Sequence, residues 1–335
     1  MTVRVGINGF GRIGRNFYRA AKKLGADVEL VAVNDPGMSA ETSAHLLKYD
    51  STHGVLDTEV KVTGDGISAG NDSFRFFAER EPSKLPWGEL GVDVVIESTG
   101  VFTDGEKAKA HLEAGAPRVI ISAPATNVDG TFVVGVNDDQ FESSMKIVSN
   151  ASCTTNCFVP MIKVLDDAFG VEKGLMTTVH AYTNDQNLLD LAHKDLRRAR
   201  ASAVNIVPSS TGAARATSLV LESMKGRLDG QALRVPVPDG SITDFTGILG
   251  REVTGEEVNE AFRAAAGAGP LAKVLVYTED EIVSSDIVGS SASCTFDSKL
   301  TMAMGSMVKV FGWYDNEWGY SCRLVDLTVI VGGAK

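Results

Sequence analysis

The chain has 335 residues, of which 44% are hydrophobic and 22% charged, and this composition is typical of a globular protein of about two domains. Its formal net charge of -11 argues against nucleic acid as the primary partner, and against an anionic membrane surface, because an acidic protein repels polyanions. No apolar run reaches the roughly 20 residues that a membrane-spanning helix needs.

The N-terminal pattern is a strand, a glycine-rich turn and a helix. Residues 3–7 alternate as a strand with no secretory leader before them, so we expect the mature protein to begin here. The turn has the spacing GxGxxG, which brings a pyrophosphate close to the backbone at the N-terminus of the next helix. The turn residues are Asn8, Gly9, Phe10, Gly11, Arg12, Ile13 and Gly14. This pattern predicts a dinucleotide-binding site of the Rossmann type.

An acidic residue stands where such a site needs one. Asp35 follows the next strand pattern, about twenty residues beyond Gly14, where a carboxylate accepts hydrogen bonds from the adenosine ribose. A carboxylate there also repels the additional phosphate of NADP, so the sequence favours NAD. Taken alone, Asp35 is equally compatible with a solvated turn before Pro36; its combination with the glycine turn favours the cofactor interpretation.

Further short apolar runs predict a largely parallel sheet in the first half of the chain. They are residues 93–97, 118–122, 132–136 and 146–148. Because ligands bind beyond the carboxyl ends of such strands, Thr99 and Ser122 are candidate cofactor contacts, although ordinary helix capping explains both nearly as well. Arg80 lies in a charged run and, from its surroundings alone, is interpreted as a solvated surface residue.

A cysteine stands between a strand pattern and a helix pattern near the middle of the chain. Cys153 lies in the segment 149–157, among small hydrogen-bonding side chains, and the apolar spacing from Met161 onward predicts a helix weakened or bent at Pro160. A helix N-terminus lowers the pKa of a thiol and favours the thiolate, the form that attacks carbon. The pattern predicts a nucleophile, with a buried apolar cysteine as the alternative.

The cysteines do not suggest disulfides or a metal site. Four cysteines are too few and too scattered for a disulfide framework in a chain of this length, and no spacing matches a cysteine and histidine metal site. The sequence therefore predicts no metal and a reducing, cytoplasmic setting.

Among the five histidines, His180 lies in a β-branched run that ends in polar residues. The other four lie in polar or charged surroundings, where a solvated ring is the default. An imidazole within hydrogen-bond reach is the usual means of activating a thiol, so His180 is the candidate base for Cys153. A core histidine bonded to backbone is the alternative.

The second half of the chain also offers candidate anion sites. Residues 193–200 form the one concentrated basic block of an acidic chain, and arginine recognises phosphate through parallel hydrogen bonds, with a surface face or a subunit contact as alternatives. The turn at 208–214 combines hydroxyls and glycine before a helical pattern, an arrangement that binds phosphate or simply caps a helix. Arg234 stands on a predicted strand, where its burial without an anion would be unusual.

Strand patterns dominate between residues 233 and 328, with one clear helix at 256–266, and the chain closes with a helical pattern at 324–331. We therefore predict an α/β fold with a Rossmann-type NAD-binding domain, an α+β catalytic domain with a mixed sheet, and a C-terminal helix that packs back on the first domain. The predicted divisions are 1–152 for the NAD-binding domain, 153–318 for the catalytic domain and 319–335 for the C-terminal helix.

Seven motifs follow one another along the chain. They are NGFGRIGR at 8–15, SNASCTTNC at 149–157, TTVHAYTNDQ at 177–186, HKDLRRAR at 193–200, STGAA at 210–214, RVPVPDGS at 234–241 and WYDNEWGYS at 313–321. Together they resemble the phosphorylating, glycolytic glyceraldehyde-3-phosphate dehydrogenases, and the resemblance runs from end to end.

The resemblance implies a homotetramer whose subunits oxidise D-glyceraldehyde 3-phosphate with NAD and inorganic phosphate to 1,3-bisphosphoglycerate. It implies that Cys153 forms a thiohemiacetal with His180 as base, and that hydride transfer to NAD leaves a thioester, which phosphate cleaves. This covalent route divides one difficult oxidation into two easier steps.

The resemblance also assigns binding residues. It implies a site for the substrate's C3 phosphate at Thr183 and Arg234. It implies a site for the attacking phosphate at Ser152, Thr154, Arg198, Thr211 and Gly212. The family's NAD contacts match Arg12, Ile13, Asp35, Arg80, Ser122 and Asn316, and Tyr320 is expected near the nicotinamide. With Asn8, Gly9, Gly11, Gly14 and Thr99 these residues form the predicted cofactor site, which replaces the surface interpretation of Arg80.

Three residues depart from the family's usual pattern. Ala192 replaces a proline at a position linked in the family to the choice between NAD and NADP, while Phe158 and Ser209 replace the usual residues close to the cysteine and the phosphate site. From these we predict an active site altered in its access for bulky electrophiles more than in its chemistry.

Two alternative functions are compatible with parts of this pattern. An erythrose-4-phosphate dehydrogenase would share the cysteine, the histidine and the nucleotide fold, and substrate profiling separates it from the first interpretation. A catalytically silent binding or regulatory protein on the same fold would not require Cys153, His180 and both anion sites together.

Overall fold

The structure is a computed structural model that describes residues 2–334. The chain divides into two compact units. The first unit runs through Ala151 and resumes at Ser321, and the second is Ser152–Tyr320. No helix within residues 2–334 combines the length and the apolar character that crossing a membrane requires.

The first unit is built on a sheet with helices between its strands. Its strands are β1 Val3–Asn8, β2 Val28–Asn34, β3 Tyr49–Asp50, β4 Gly54–Val55, β5 Val60–Thr63, β6 Gly66–Ala69, β7 Asp72–Phe77, β8 Val94–Glu97, β9 Arg118–Ile121, β10 Gly130–Thr131 and β11 Ile147–Ser149. Its helices are α1 Arg12–Leu24, α2 Ala40–Lys48 and α3 Gly105–Glu113. The sheet order is β10-β11-β9-β8-β1-β2-β7-β6-β5, with β3 and β4 paired separately.

The pairing confirms the predicted Rossmann-type domain. Strand β1 pairs in parallel with β2 on one side and β8 on the other, so the strand order reverses at β1, the position where such sheets bind ligands. The strands here are buried apolar runs, as expected when helices cover both faces.

The predicted strand at 132–136 is wrong. The strand in this region is β10, two residues earlier, and Phe132, Val133 and Val134 are buried without forming a strand. The backbone N–H of Val133 donates to Asn137 Oδ1 at 2.8 Å, and the following residues form a turn. An apolar run that enters the core through a turn has the same sequence signal as a buried strand.

The second unit is built on a mixed sheet. Its strands are β12 Val171–Ala181, β13 Val207–Ser210, β14 Leu228–Val235, β15 Ser241–Leu249, β16 Leu275–Thr278, β17 Cys294–Asp297, β18 Met302–Met304 and β19 Met307–Tyr314. Its helices are α4 Cys153–Phe169, α5 Ala213–Ala216, α6 Gly255–Gly267 and α7 Ser284–Ile287. The sheet order is β13-β14-β12-β15-β19-β17-β16, with β18 on β19. Strand β12 is parallel to β14 and antiparallel to β15, as a mixed sheet requires.

Helix α4 continues without interruption through Pro160. A proline inside a helix costs about 3 kcal/mol, because it removes a hydrogen bond and crowds the preceding turn. Around it, Phe158, Met161 and Ile162 are fully buried, and each contributes roughly 1.5–3 kcal/mol by leaving water. The packed face of the helix therefore offsets the local defect.

The final helix is α8, Trp318–Gly333, and its residues from Ser321 onward belong to the first unit. Leu324, Leu327 and Val331 are buried. A Cβ built on Gly332 would lie 2.2 Å from Val3 Cγ1, so the helix end packs directly against β1. The predicted return of the C-terminal helix to the first domain is confirmed.

Candidate active site

The glycine turn between β1 and α1 forms one wall of a cleft in the first unit. Gly9 has a φ of +94°, which favours glycine, and a Cβ on it would lie 2.6 Å from the carbonyl carbon of Ser98. A Cβ on Gly14 would lie 2.4 Å from the Gly9 carbonyl oxygen. At Gly11 a Cβ would meet nothing within 4 Å. The first and third glycines are thus required by the fold, whereas Gly11 leaves open space for a ligand.

These contacts predict different results for two alanine variants. Gly11→Ala should fold with a thermal stability close to the native value but bind NAD at least about tenfold more weakly, because the methyl group occupies the space that a pyrophosphate needs. Gly9→Ala should lose stability through backbone strain and the clash with Ser98. Thermal melting and NAD titration check both variants; unchanged NAD affinity in a folded Gly11→Ala protein would contradict the assignment.

The cleft also contains Asp35, Arg80 and Thr99. The Asp35 carboxylate accepts from the backbone N–H groups of Phe10 at 3.0 Å and Gly37 at 2.9 Å, which fixes its orientation at the end of β2. The exposed Arg80 lines the same cleft.

The remaining predicted cofactor residues of the first unit lie around this turn or at a neighbouring strand end. Arg12 and Ile13 open α1, and Arg12 Nη1 is 2.6 Å from Asp50 Oδ2. Ser122 follows β9, and its N–H donates to the carbonyl of Glu97 at 2.9 Å.

Glu97, which was not among the predicted site residues, has a buried carboxylate that orients two of the cleft residues. Its Oε2 accepts from Asn8 Nδ2 at 2.6 Å and lies 3.0 Å from His111 Nε2. Its Oε1 accepts from the Thr99 N–H at 2.8 Å and hydroxyl at 2.5 Å. The available signal was an acidic residue that ends an otherwise apolar strand, since such a carboxylate is rarely buried without partners.

In the second unit, Cys153 and His180 lie together. Ser152 caps α4, its Oγ accepting from the Thr155 N–H at 3.0 Å, so Cys153 is the first residue of the helix. His180 lies near the end of β12, which packs against α4. Cys153 Sγ is 3.4 Å from His180 Nε2, within hydrogen-bond reach for sulfur.

The Nδ1 atom of His180 has both a hydrogen-bond acceptor and a donor as close neighbours. Nδ1 is 2.7 Å from the carbonyl oxygen of Ala181. Arg234 Nη1, which can only donate, lies 3.0 Å from the same Nδ1. In the tautomer in which Nδ1 donates to the closer Ala181 carbonyl, the lone pair of Nε2 faces Cys153. His180 is therefore oriented to take a proton from the thiol.

Burial keeps both groups uncharged at neutral pH. Burial raises the pKa of the Cys153 thiol to about 11, although Arg234 and the hydrogen bonds of Thr154 act in the opposite direction. Burial, followed by the Arg234 cation, lowers the pKa of His180 to about 3. The predicted lowering of the thiol pKa is wrong for this state, because loss of solvation outweighs the field of the helix N-terminus.

Arg234 reaches the pair through the register of the sheet. Strands β12 and β14 are parallel, with His180 opposite Arg234. Arg234 Nη1 is 3.0 Å from His180 Nδ1, and it donates to the Ala181 carbonyl and to Thr183 Oγ1, each at 3.1 Å. Its buried Nε has no hydrogen-bond partner among residues 2–334. A buried donor without an acceptor beside a hydroxyl fits an anion site.

One arginine of the basic block reaches the hydroxyl-rich turn. Arg198 Nη2 lies 3.4 Å from the Ser210 carbonyl, and Arg198 Nη1 pairs with the carboxylate of Asp185. Thr211 Oγ1 accepts from the Ala213 N–H at 3.2 Å, and Gly212 precedes the short helix α5. Asp185 belongs to the motif at 177–186 but was not among the predicted site residues.

The two residues that flank Cys153 differ in their environment. The Ser152 hydroxyl is 2.7 Å from Thr155 Oγ1 and remains partly exposed. The Thr154 hydroxyl is buried and lies 2.8 Å from the hydroxyl of Tyr314, which also lies 2.7 Å from Thr178 Oγ1. Tyr314 was also missed; its ring packs edge-on against His180, with ring centroids 5.9 Å apart.

Asn316 and Tyr320 are both buried in the second unit. Asn316 Oδ1 accepts from the Ser241 hydroxyl at 2.6 Å, and the Ser241 Oγ in turn accepts from the Ala181 N–H at 3.1 Å. Asn316 is thereby connected to the strand that carries His180.

The prediction of altered access through Phe158 is wrong. The Phe158 ring is fully buried and packs edge-on against Phe245, with centroids 5.4 Å apart, in the hydrophobic core of the second unit. It lies five residues after Cys153 on α4 and faces the core, so it does not control entry. Ser209 is buried on β13 and Ala192 is exposed.

A Rossmann-type cleft and a cysteine–histidine pair beside an anion site are the elements of a nicotinamide-dependent dehydrogenase that works through a covalent thiol. A family model for the glyceraldehyde 3-phosphate dehydrogenase NAD binding domain matches residues 3–105, and one for the C-terminal domain matches residues 152–316. The chain belongs to the glyceraldehyde-3-phosphate dehydrogenase family, an NAD-dependent family of oxidoreductases.

Similarity to individual relatives extends over nearly the whole chain. The glyceraldehyde-3-phosphate dehydrogenase of Streptomyces coelicolor is 62% identical over 334 residues, and that of Mycobacterium tuberculosis is 60% identical over 338 residues. Glyceraldehyde-3-phosphate dehydrogenase 2 of Streptomyces avermitilis is 61% identical over 334 residues. Each comparison covers 99% of this chain and 99% of the relative. The resemblance inferred from the sequence motifs is confirmed.

Proposed function

We propose that this enzyme oxidises D-glyceraldehyde 3-phosphate with NAD and inorganic phosphate to 1,3-bisphosphoglycerate, with Cys153 as the covalent nucleophile. The observation that carries the proposal is the contact of Cys153 Sγ with His180 Nε2 at 3.4 Å, beside the Arg234 guanidinium. A thiol, a base and a phosphate-binding cation are the groups that this reaction requires.

The first step is attack of Cys153 on the aldehyde carbon. His180 takes the thiol proton through Nε2, while its Nδ1 hydrogen bond to Ala181 holds the ring in place. The Arg234 cation opposes a second proton on the His180 ring, so a substrate phosphate paired with Arg234 would favour the transfer. In the thiohemiacetal that results, protonated His180 stabilises the oxyanion by donating a hydrogen bond.

Oxidation converts the thiohemiacetal into a thioester on Cys153, and NAD supplies the hydride acceptor for this step. The open space at Gly11 and the carboxylate of Asp35 fit a dinucleotide, with Asp35 accepting from the ribose hydroxyls. The other proposed contacts are Asn8, Gly9, Arg12, Ile13, Gly14, Arg80, Thr99, Ser122, Asn316 and Tyr320.

Two phosphate sites complete the proposal. Thr183 and Arg234 bind the C3 phosphate of the substrate, supported by their mutual contact and by the unpartnered Nε of Arg234. The phosphate that cleaves the thioester binds among Ser152, Thr154, Arg198, Thr211 and Gly212. Support for this second site comes from the approach of Arg198 to the turn at Ser210.

We also propose a cytoplasmic homotetramer, with the functional domain divisions at 1–152, 153–318 and 319–335. The segment between β12 and β13 exposes large apolar side chains, as a subunit interface requires. These include Leu188, Leu189, Leu191, Leu196, Val204 and Ile206. Within residues 2–334 no disulfide joins Cys153, Cys157, Cys294 or Cys322, as expected of a protein in a reducing compartment.

The proposal predicts that NADH formation from glyceraldehyde 3-phosphate depends on inorganic phosphate. Without phosphate the thioester has no acceptor, so steady turnover should nearly stop, and NADP should replace NAD poorly because Asp35 repels its additional phosphate. Absorbance of NADH with and without phosphate, with NADP in a parallel assay, measures both effects.

The same assay separates the alternatives. Phosphate-independent turnover would contradict a phosphorylating reaction. A higher kcat/KM for erythrose 4-phosphate would favour the related dehydrogenase, and NAD binding without turnover of either aldehyde would favour a silent binding protein.

A further inference from the structure

The carboxylate of Asp185 contacts one residue from each of the two proposed phosphate sites. The hydroxyl of Thr183 donates to Asp185 Oδ1, and Arg198 Nη1 donates to Asp185 Oδ2. Thr183 belongs to the proposed C3 phosphate site and Arg198 to the proposed site of the attacking phosphate. Asp185 thus makes the contacts that an external anion would make with these two donors.

Thr183 cannot serve Asp185 and a phosphate at the same time. A hydroxyl has one hydrogen to donate, and in this structure that hydrogen is directed to Asp185. Arg234 Nη1 also donates to Thr183 Oγ1, so the oxygen is already used as an acceptor. A phosphate oxygen only accepts, and it can bind Thr183 only after the contact with Asp185 is broken.

Asp185 remains charged while it holds these donors. Partial burial raises the pKa of its carboxyl, but the Thr183 hydrogen bond and the cations of Arg234 and Arg198 lower it more, so the net direction is downward. A substrate phosphate bound to Thr183 and Arg234 would bring a second negative charge beside Asp185, and the two anions would compete for these donors.

We propose that Asp185 is an internal anion that holds Thr183 and Arg198 until a substrate phosphate displaces it, and that this displacement releases Arg198 to the second phosphate site. The proposal rests on the two phosphate sites of the proposed function and adds a positioning residue that links them. Binding of the phosphorylated aldehyde then precedes full assembly of the site for inorganic phosphate.

Three variants test this role in the full-length enzyme with NAD. Asp185→Asn removes the charge and keeps the shape, and Asp185→Glu keeps the charge. Asp167→Asn is the control, because Asp167 is exposed near the C-terminal end of α4, away from both phosphate sites and from the apolar segment. Its Oδ1 accepts from Lys163 Nζ at 2.6 Å, so it is also a carboxylate paired with a cation. The measurements are kcat and the KM values for glyceraldehyde 3-phosphate and inorganic phosphate.

Asp185→Asn should lower both KM values on the order of fivefold, because the competing anion is lost. Asp185→Glu keeps the negative charge, so its KM values should stay closer to those of the native enzyme. Asp167→Asn should leave all three constants unchanged. KM values for Asp185→Asn that rise, or that equal the native values, would overturn the proposal. Phosphate-independent turnover of the native enzyme would instead overturn the proposed function, so the two failures are distinguishable.

Discussion

Replacing Cys153 by serine is expected to abolish catalysis while leaving NAD binding intact. The alkoxide of serine is far harder to form than a thiolate, and no acyl thioester can be made, so kcat should fall at least ~10³-fold. His180→Asn should lower kcat by roughly 10²–10⁴-fold, the usual contribution of a general base. Initial rates of NADH formation check both variants, with NAD titration as the test of folding.

Cys157→Ser provides the matched control for the nucleophile. Cys157 lies one turn further along α4, is fully buried, and has its Sγ 3.5 Å from the Gly312 carbonyl, a contact that a serine hydroxyl can replace. This variant should retain most activity. Full activity of the Cys153→Ser protein would exclude a covalent route, and full activity of His180→Asn would exclude the proposed base.

Replacing Arg234 by leucine is expected to lower kcat/KM for glyceraldehyde 3-phosphate by about 10²-fold. A charge-assisted hydrogen bond contributes about 1.5–3 kcal/mol, and each 1.4 kcal/mol corresponds to a factor of ten. Loss of the contact with Thr183 adds to the effect. Arg234→Lys should recover part of the loss, because it keeps the charge without the planar fork.

The unphosphorylated substrate D-glyceraldehyde separates phosphate binding from other roles of Arg234. D-glyceraldehyde has no C3 phosphate, so the native enzyme should use it with a lower kcat/KM. The Arg234→Leu substitution should reduce this kcat/KM much less than the kcat/KM for glyceraldehyde 3-phosphate. An equal loss for both aldehydes would show that Arg234 acts through His180 or through the fold, and would contradict the phosphate assignment.

Local features of the fold were predictable because their causes lie within a few residues. The GxGxxG turn requires glycine where the backbone of Ser98 approaches Gly9, and Ser152 provides an ordinary helix cap before Cys153. The alternation in β15 matches its regular exchange of buried and partly buried side chains. By contrast, the strand predicted at 132–136 was wrong, because a buried turn and a buried strand can have the same apolar sequence pattern.

Features that depend on pairing between distant segments were not predictable from spacing. Arg234 contacts His180 because β12 and β14 are parallel in one particular register, and a shift by one residue would remove the contact. The contact between Asp185 and Arg198 depends on the path of the loop that carries both residues. The contact between Tyr314 and Thr154 depends on the packing of β19 beside α4. The thiol pKa depends on burial, which the helix N-terminus alone does not reveal.

The central claim is a covalent acyl group on Cys153, and mass spectrometry of the enzyme mixed with glyceraldehyde 3-phosphate and NAD in the absence of phosphate tests it most directly. We predict a single burst of NADH and a mass increase of one phosphoglyceroyl group on the peptide that contains Cys153, which disappears when phosphate is added. An unmodified Cys153 after the burst, or an adduct on another residue, would contradict the account.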